Sequence, residues 1–295
     1  MKRRTFLQNT AMSSLGLMAA SHPLTAHLML KRIKDFGFQA YTVRSVIYND
    51  MFGTLKRLRK AGYDYVELFD FSDGKILGKS ISEGQSIIDQ SKLKVKSIHV
   101  PTGAGDRKIS GTIWHEFQRA IDDGKTLGAE YLVCPYLMDF ERETIDQYKG
   151  LAHRLNEAGE MAKKSGIQLA YHNHDFEFQK LEGQIPMDVL LKEMDSDLVK
   201  IELDIYWARK AEVNPLSFFR DNLKRVPLWH VKDLSIDEGY PMTEIGNGII
   251  DWKQIFRHQE DAGLDYFFIE QDAYFENDPV TSLETSIKYL KKLSY

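Results

Sequence analysis

Cysteine and proline are scarce in this sequence of 295 residues, which has one cysteine and eight prolines. With Cys134 alone, an intramolecular disulfide and a metal site built from several thiolates are both excluded. The chain has no Ser/Pro-rich linker, and the first predicted strand is not followed by the Gly-x-Gly-x-x-Gly motif of dinucleotide-binding proteins. Hydrophobic residues make up 43% and charged residues 28%, which excludes a disordered chain and indicates a globular protein.

Positive charge is also in short supply, with 39 basic and 43 acidic side chains and a net charge of −4. The only charged residues among the first thirty are Lys2, Arg3 and Arg4, so the remaining 265 residues have a net charge of −7. A phosphate backbone attracts clustered Lys and Arg, and no such stripe is present. We therefore expect no nucleic-acid partner.

Long apolar runs are absent except for a short one near the N-terminus. The basic segment Lys2-Arg3-Arg4-Thr5-Phe6-Leu7 precedes apolar residues at 11–20. This order is typical of an export signal, and the arginine pair followed by Phe-Leu resembles a twin-arginine signal. The run is too short to form a stable transmembrane helix. The sequence thus predicts an export signal over residues 1–30, a periplasmic or exported protein, and no membrane insertion once the signal is removed.

From Phe36 onward, short β-branched and aromatic segments alternate with longer amphipathic ones. Their spacing of roughly 27 to 39 residues is that of one strand plus one crossover helix. The eight predicted strands are 37–42, 65–69, 95–99, 131–134, 168–172, 200–204, 228–232 and 266–270. Apolar residues at three- and four-residue spacing predict helices at 55–60, 113–127, 144–164, 187–194 and 252–262. Eight uninterrupted units predict one α/β domain, a (β/α)8 TIM barrel over residues 31–295, with a doubly wound open sheet as the alternative.

Polar residues stand at the C-terminal ends of the predicted strands, where a barrel enzyme has its active site. Four of the nine histidines lie there, and alternation along strand 5 puts His172 and His174 on the same face. Imidazole and carboxylate groups from separate strands suit a divalent cation, and the absence of thiolate favours Mn²⁺, with Co²⁺, Mg²⁺ and Zn²⁺ as alternatives. The predicted ligands are His172 or His174, with Asp204, His230 and Glu270.

The order of these motifs resembles the xylose isomerase-like TIM-barrel superfamily, the sugar phosphate isomerase/epimerase group, over roughly residues 36–290. The pieces that carry the resemblance are Tyr171-His172-Asn173-His174-Asp175, Leu203-Asp204, His230-Val231-Lys232-Asp233, Gly246-Asn247-Gly248-Ile249-Ile250-Asp251-Trp252 and Ile269-Glu270. In the epimerases of this group a metal is held by Glu, Asp, His and Glu on strands 5 to 8, which implies Asp204, His230 and Glu270 here.

Strand 5 departs from that pattern, because His172-Asn173-His174 stands where many relatives have Glu-Asn-His. The epimerases use the glutamates of strands 5 and 8 as a pair that removes a proton next to a carbonyl and returns it on the opposite face. His172 offers a metal ligand or a base near neutral pH, but it does not reproduce a carboxylate pair. The inosose dehydratases of the superfamily have a His-rich strand 5, and this resemblance favours a lyase as the second functional hypothesis.

Further site residues complete the prediction. Glu67 and Lys232 join His172 and Glu270 as catalytic candidates. Glu67 would contact the substrate or act as an acid or base, and Lys232 would bind a substrate oxyanion or pair with Asp233. Predicted substrate contacts are made by His99, His174, Glu177 and Trp207.

These residues predict a divalent-metal-dependent isomerase or epimerase that abstracts a proton next to a carbonyl of a small sugar, keto-sugar or polyol. The alternatives are an inosose dehydratase-like or keto-glycoside lyase on the same metal site, and a sugar-binding barrel without activity.

Overall fold

Eight parallel strands form a closed barrel in the computed structural model, which describes residues 32–105, 108–276 and 278–295. They pair in the order β1-β8-β7-β6-β5-β4-β3-β2, and β1 closes the ring on β2 and β8. The strands are β1 (Gly37–Gln39), β2 (Tyr65–Leu68), β3 (Lys94–His99), β4 (Tyr131–Cys134), β5 (Gln168–His172), β6 (Val199–Asp204), β7 (Leu228–Val231) and β8 (Tyr266–Ile269). The barrel prediction is confirmed, and the open-sheet alternative is wrong. The predicted export signal lies outside the described residues.

Eleven helices are described along the chain. They are α1 (Arg44–Ile47), α2 (Met51–Ala61), α3 (Ile81–Ser91), α4 (Phe117–Leu127), α5 (Ile145–Lys164), α6 (Pro186–Glu193), α7 (Ile205–Lys210), α8 (Pro215–Asp221), α9 (Trp252–Arg257), α10 (Gln259–Ala262) and α11 (Pro279–Leu290). Single 3-10 turns lie at Ala40–Val43, Asp139–Glu141 and Phe176–Phe178. Short antiparallel strands outside the barrel are Phe71–Ser72, Lys75–Ile76 and Lys79–Ser80, and Asp233–Leu234 with Met242–Thr243.

Local chemistry accounts for where several elements begin and end. The Thr144 side chain and Gln147 form a capping box at the start of α5, as Ser80 does with Glu83 at the start of α3. Gly62 ends α2 in the left-handed conformation, with φ 109°, which costs a residue without Cβ little.

Several predicted elements have different bounds in the structure, and the helix expected at 55–60, for example, spans Met51–Ala61. Strand β1 is short because the Gln39 side chain accepts a hydrogen bond from the Tyr41 amide at 3.0 Å and turns the chain into a 3-10 helix. The helix expected at 113–127 begins only at Phe117. The helix expected at 252–262 is divided at His258, whose φ and ψ of −95° and 14° leave the helical region.

The barrel interior changes from apolar to polar along its axis. Six buried residues form an apolar plug, and they are Tyr65, Tyr131, Val133, Ala170, Leu228 and Phe268. Alternate side chains face the same side of a strand, and on β2, β5, β7 and β8 the residue two positions beyond the plug residue is polar. Thus Glu67 follows Tyr65, and His172 follows Ala170.

Among the described residues, no helix has both the length and the apolar character that a membrane span requires.

Candidate metal centre and active site

A layer of buried polar side chains lies directly above the apolar plug. Its members are Gln39, Glu67, His172, Glu202, Asp204, His230, Lys232 and Glu270, with the partly buried His99 beside them. Seven of the nine stand on six strands, and Lys232 and Glu270 come just after β7 and β8. Burial of charged groups is costly unless each is paired or binds an ion. The hydrogen bonds and ion pairs within this layer therefore determine which of its groups are charged and which can bind an ion.

His230 lies at the centre of the layer and contacts carboxylates through both ring nitrogens. Its Nδ1 is 2.6 Å from Glu270 Oε2, whereas Nε2 is 2.5 Å from Glu67 Oε1 and 3.2 Å from Glu202 Oε2. Burial alone disfavours the charged imidazole, but the surrounding carboxylates, Glu202 foremost, outweigh it and raise the pKa of His230 well above its usual value.

His172 bridges the deeper and the outer part of the layer. Nδ1 lies 3.0 Å from Glu202 Oε2, and Nε2 lies 3.6 Å from Asp204 Oδ2. Burial, with the positive charge of His230 next to it, lowers the pKa of His172 well below its usual value. When the imidazole of His172 is neutral and its proton is on Nδ1, Nε2 has a free lone pair, and this nitrogen faces Asp204.

His174 lies above His172 and outside the carboxylate cluster. Its ring stacks on Phe176 with a centroid separation of 5.6 Å and is 5.3 Å from the Trp207 ring. The structure thus brings His172, and not His174, next to Asp204 and His230.

Two carboxylates of the deeper part carry hydrogen bonds that sequence reasoning did not assign. Glu202 Oε2 also lies 3.1 Å from His99 Nε2, and Glu67 Oε1 accepts from Gln39 Nε2 at 2.7 Å. The second oxygens, Glu202 Oε1 and Glu67 Oε2, are buried without a hydrogen-bond partner in the described part of the chain. Burial and the charge of Glu67 raise the pKa of Glu202 to about 7.

Glu202 was missed although the sequence carries its signal. It stands two residues before Asp204 on the same strand, so alternation places both side chains inside the barrel. The same argument that paired His172 with His174 applies to this strand.

Lys232 reaches the outer part of the layer from the end of β7. Its Nζ lies 2.8 Å from Asp204 Oδ2, 2.6 Å from Glu270 Oε2 and 2.9 Å from Asp272 Oδ2. Burial opposes the charge of the ammonium, but the three carboxylates outweigh it and raise the pKa of Lys232 well above its usual value. Asp272, two residues beyond Glu270 in a loop, was not predicted from the sequence.

Asp233 does not pair with its neighbour Lys232. Its carboxylate accepts from the amide of Gly246 at 2.8 Å and from the indole of Trp252 at 2.9 Å. Gly248 leaves no room for a side chain, since a Cβ there would lie 2.2 Å from the same carboxylate. The Gly246–Trp252 motif therefore anchors the loop after β7 and does not enter the site.

Glu177 supports strand β5 and does not contact the cavity. It is fully buried, where it accepts hydrogen bonds from the Tyr171 hydroxyl at 2.6 Å and from the His174 amide at 2.8 Å. The expectation that Glu177 binds substrate is thus corrected, because its two oxygens are engaged behind the strand.

A cavity of about 900 Å³ opens above the polar layer. Its floor includes His99, His172, Lys232 and Glu270, all four of them predicted from the sequence. Trp207 and His174 also line it, whereas the predicted catalytic residue Glu67 lies below the floor.

The donor atoms around His230 fit a divalent cation. Two overlapping groups each have ligand atoms within 4.8 Å of one another, namely His99, His172, Glu202 and His230, and Asp204, His230 and Glu270. A cation that binds nitrogen and oxygen ligands at about 2.0–2.2 Å needs this order of spacing. The unpartnered buried oxygens of Glu67 and Glu202 agree with a site in which positive charge is still to be added.

Comparison with known proteins agrees with the fold. Residues 55–293 match the family described as xylose isomerase-like TIM barrel. The chain belongs to this family.

Among curated relatives, the xylose isomerase-like chain is 26% identical over 168 residues to inosose dehydratase from Lacticaseibacillus casei. That match covers 51% of this chain and just over half, 55%, of the relative's length.

Among solved structures, it resembles a sugar phosphate isomerase/epimerase from Parabacteroides distasonis, with a TM-score of 0.74, 26% identity and coverage of 88% and 93% of the two chains. IOLI protein with a binding zinc atom shares the fold, with a TM-score of 0.65, 17% identity and coverage of 86% and 96%.

Proposed function

We propose that this xylose isomerase-like protein is a divalent-metal-dependent isomerase or epimerase that abstracts a proton next to a carbonyl of a sugar, keto-sugar or polyol. The observation that carries the proposal is the cluster of His172, Asp204, His230 and Glu270, in which His172 and Glu270 line the floor of one deep cavity and Asp204 and His230 lie directly beneath it. The curated and structural relatives named above support a sugar-modifying enzyme.

The same four side chains would hold the ion. When bound, it supplies stabilisation of the negative charge that develops on a carbonyl oxygen, and Mn²⁺ is the ion that we expect, with Co²⁺, Mg²⁺ and Zn²⁺ as alternatives.

The chain's own groups supply proton transfer at the cavity floor. Glu270 faces the cavity as a carboxylate, since Lys232 and His230 outweigh its burial and lower its pKa. In the proposed reaction Glu270 accepts the proton next to the carbonyl, and Lys232 Nζ donates a hydrogen bond to a substrate oxygen. Glu270, which then carries that proton, returns it to the neighbouring carbon, because both nitrogens of His172 are engaged, Nδ1 with Glu202 and Nε2 on the side of Asp204.

A dehydratase or lyase on the same floor is the second candidate. Elimination of water needs one base and one acid. It does not need a pair of glutamates, which is absent here because a histidine replaces the glutamate on β5. The match to inosose dehydratases favours this alternative specifically.

Turnover in D₂O distinguishes the isomerase hypothesis from the lyase and binding-protein hypotheses. Metal-loaded protein is incubated with ketoses, inososes and keto-glycosides, and products are followed by NMR. We expect an isomer that carries solvent deuterium at the carbon next to the carbonyl. An unsaturated product would contradict the isomerase reading and support the lyase, and no conversion of any sugar would support a binding protein. Glu270→Gln should abolish turnover, while Glu160→Gln on the surface of α5 serves as the matched control.

We also propose that residues 1–30 direct export to the periplasm by the twin-arginine route. The support is the order of the basic and apolar segments in the sequence. In cell fractionation, replacement of Arg3 and Arg4 together by Lys should retain the protein in the cytoplasm. Unchanged export of that variant would contradict the proposal.

A further inference from the structure

Aromatic side chains form two walls above the catalytic floor. Tyr41 and Phe69 follow β1 and β2, whereas Tyr136, Phe176 and Trp207 follow β4, β5 and β6, and all five line the cavity. In the closed order of strands, β1 and β2 lie across the barrel axis from β5 and β6. The two walls therefore face each other across the mouth of the cavity.

Each wall is held in place by its own contacts. On the first, Tyr41 and Phe69 meet edge to face at 5.2 Å, and the Arg44 guanidinium lies 4.2 Å from the centre of the Tyr41 ring. On the second, the Arg142 guanidinium lies 3.7 Å over Phe176. Rigid aromatic surface contributes binding energy at a low cost in conformational entropy.

The second wall also carries polar atoms without partners. Trp207 Nε1 and His174 Nδ1 are buried and have no hydrogen-bond partner among the residues that the structure describes. His174 lies between Tyr136, at a ring separation of 4.9 Å, and Trp207, at 5.3 Å. A ligand that places hydroxyl groups beside flat apolar surface would satisfy both atoms, and a sugar ring has this combination.

The cavity is larger than one sugar ring requires. Its volume of about 900 Å³ is near the upper end of the range of about 300–1,000 Å³ that accommodates drug-sized ligands. A single ring in contact with Lys232 and Glu270 would leave the space between the aromatic walls unfilled.

Charge at the site favours a neutral ligand. Lys232 is already bound by three carboxylates, and Arg142 pairs with Asp139 while it stacks on Phe176. Asp70, Asp175 and Asp272 line the same cavity and would repel a phosphate.

We propose that the space between the walls is an outer subsite for a second ring, so that the substrate is a neutral sugar of disaccharide size whose reacting ring carries the carbonyl. This inference rests on the proposed function. The reacting ring contacts the floor at Lys232 and Glu270, and the second ring packs between Tyr41 and Tyr136, with its hydroxyls at His174 and Trp207.

Calorimetric titration of the metal-loaded protein tests the subsite directly. The probes are methyl glucosides paired with cellobiose, maltose and trehalose, which add a second ring to the same first ring. We expect at least one disaccharide to bind tenfold or more tightly than its methyl glucoside. Tyr41→Ala and Tyr136→Ala should bring this affinity ratio close to one, and Tyr136→Phe should restore it because the ring is kept.

Phe52→Ala is the matched control, since Phe52 is an exposed aromatic residue on α2 that does not line the cavity. A ratio near one for every pair in the unaltered protein, or a ratio that Tyr41→Ala and Tyr136→Ala leave unchanged, would overturn the subsite. If monosaccharides are then still converted, the proposed function stands without it. If no saccharide binds or is converted, both proposals are wrong.

Discussion

The Glu202 carboxylate lies 3.0 Å from His172 Nδ1 and thereby determines which nitrogen of that imidazole faces Asp204. A histidine that replaces the strand 5 glutamate needs such a partner, because only one of its ring nitrogens can bind the ion. The other nitrogen is buried and needs a hydrogen-bond partner from the protein. Carboxylates that orient metal-binding histidines in this way are a recurrent feature of metal sites.

Glu202→Gln should weaken metal binding about 10- to 100-fold, since His172 and His230 lose the carboxylate that orients them. Titration of the metal-free protein with Co²⁺ or Mn²⁺, followed by calorimetry, measures the effect. Equal metal affinity of the two proteins would show that Glu202 does not position the site.

Metal removal should lower thermal stability. An ion at 100 times its dissociation constant stabilises the folded state by about 2.7 kcal/mol, which corresponds to a melting temperature higher by about 5–10 °C in a chain of this size. Differential scanning calorimetry with and without a chelator measures the shift. Asp204→Asn and His230→Ala should abolish it, and a shift that persists in both variants would place the ion elsewhere.

Glu177 should make stability decrease as pH rises. Burial raises its pKa to about 7 from an ordinary value of 4.5, so the folded state prefers the protonated acid. This contribution is complete below the unfolded pKa and is lost between about pH 4.5 and 7. In urea unfolding at pH 5 and pH 8, the unaltered protein should lose on the order of 1–3 kcal/mol more than Glu177→Gln. An identical loss in both proteins would mean that Glu177 is ionised throughout this range.

Phe268→Ala should destabilise the protein by about 3–5 kcal/mol, because the ring fills the apolar plug below His230 and no neighbour can replace it. Chemical denaturation gives the difference in free energy of unfolding. Tyr274→Ala, at a position where the side chain is 68% exposed, should change it by less than about 0.5 kcal/mol. A small effect of Phe268→Ala would show that the plug repacks.

Much of the fold follows from local patterns in the sequence. Helices α1, α3, α7, α8 and α11 were not predicted. Helices α1, α7 and α8 have only four, six and seven residues, and the apolar spacing of α3 and α11 was not recognised. Helix α3 carries the Ser80 and Glu83 capping box, which is a recognisable start signal.

The candidate site also contains residues that the sequence predicts and residues that it does not. Residues that end a strand, such as His230 and Glu270, are recognisable because a barrel brings all strand ends to one face. Asp272 lies in a loop, and its contact with Lys232 depends on a turn that no periodicity encodes.

The sequence by itself thus determined the eight strands, their parallel direction and the strand ends that carry imidazole and carboxylate, because these depend on hydrophobic period and spacing. Only the tertiary structure decided that His172 faces Asp204, that Glu202 and Glu67 lie beneath the histidines, and that Glu177 is turned away from the cavity. The pairings of His172 with Glu202 and of His230 with Glu67 join residues 30 and 163 positions apart, and how the strands pack around a shared axis decides them.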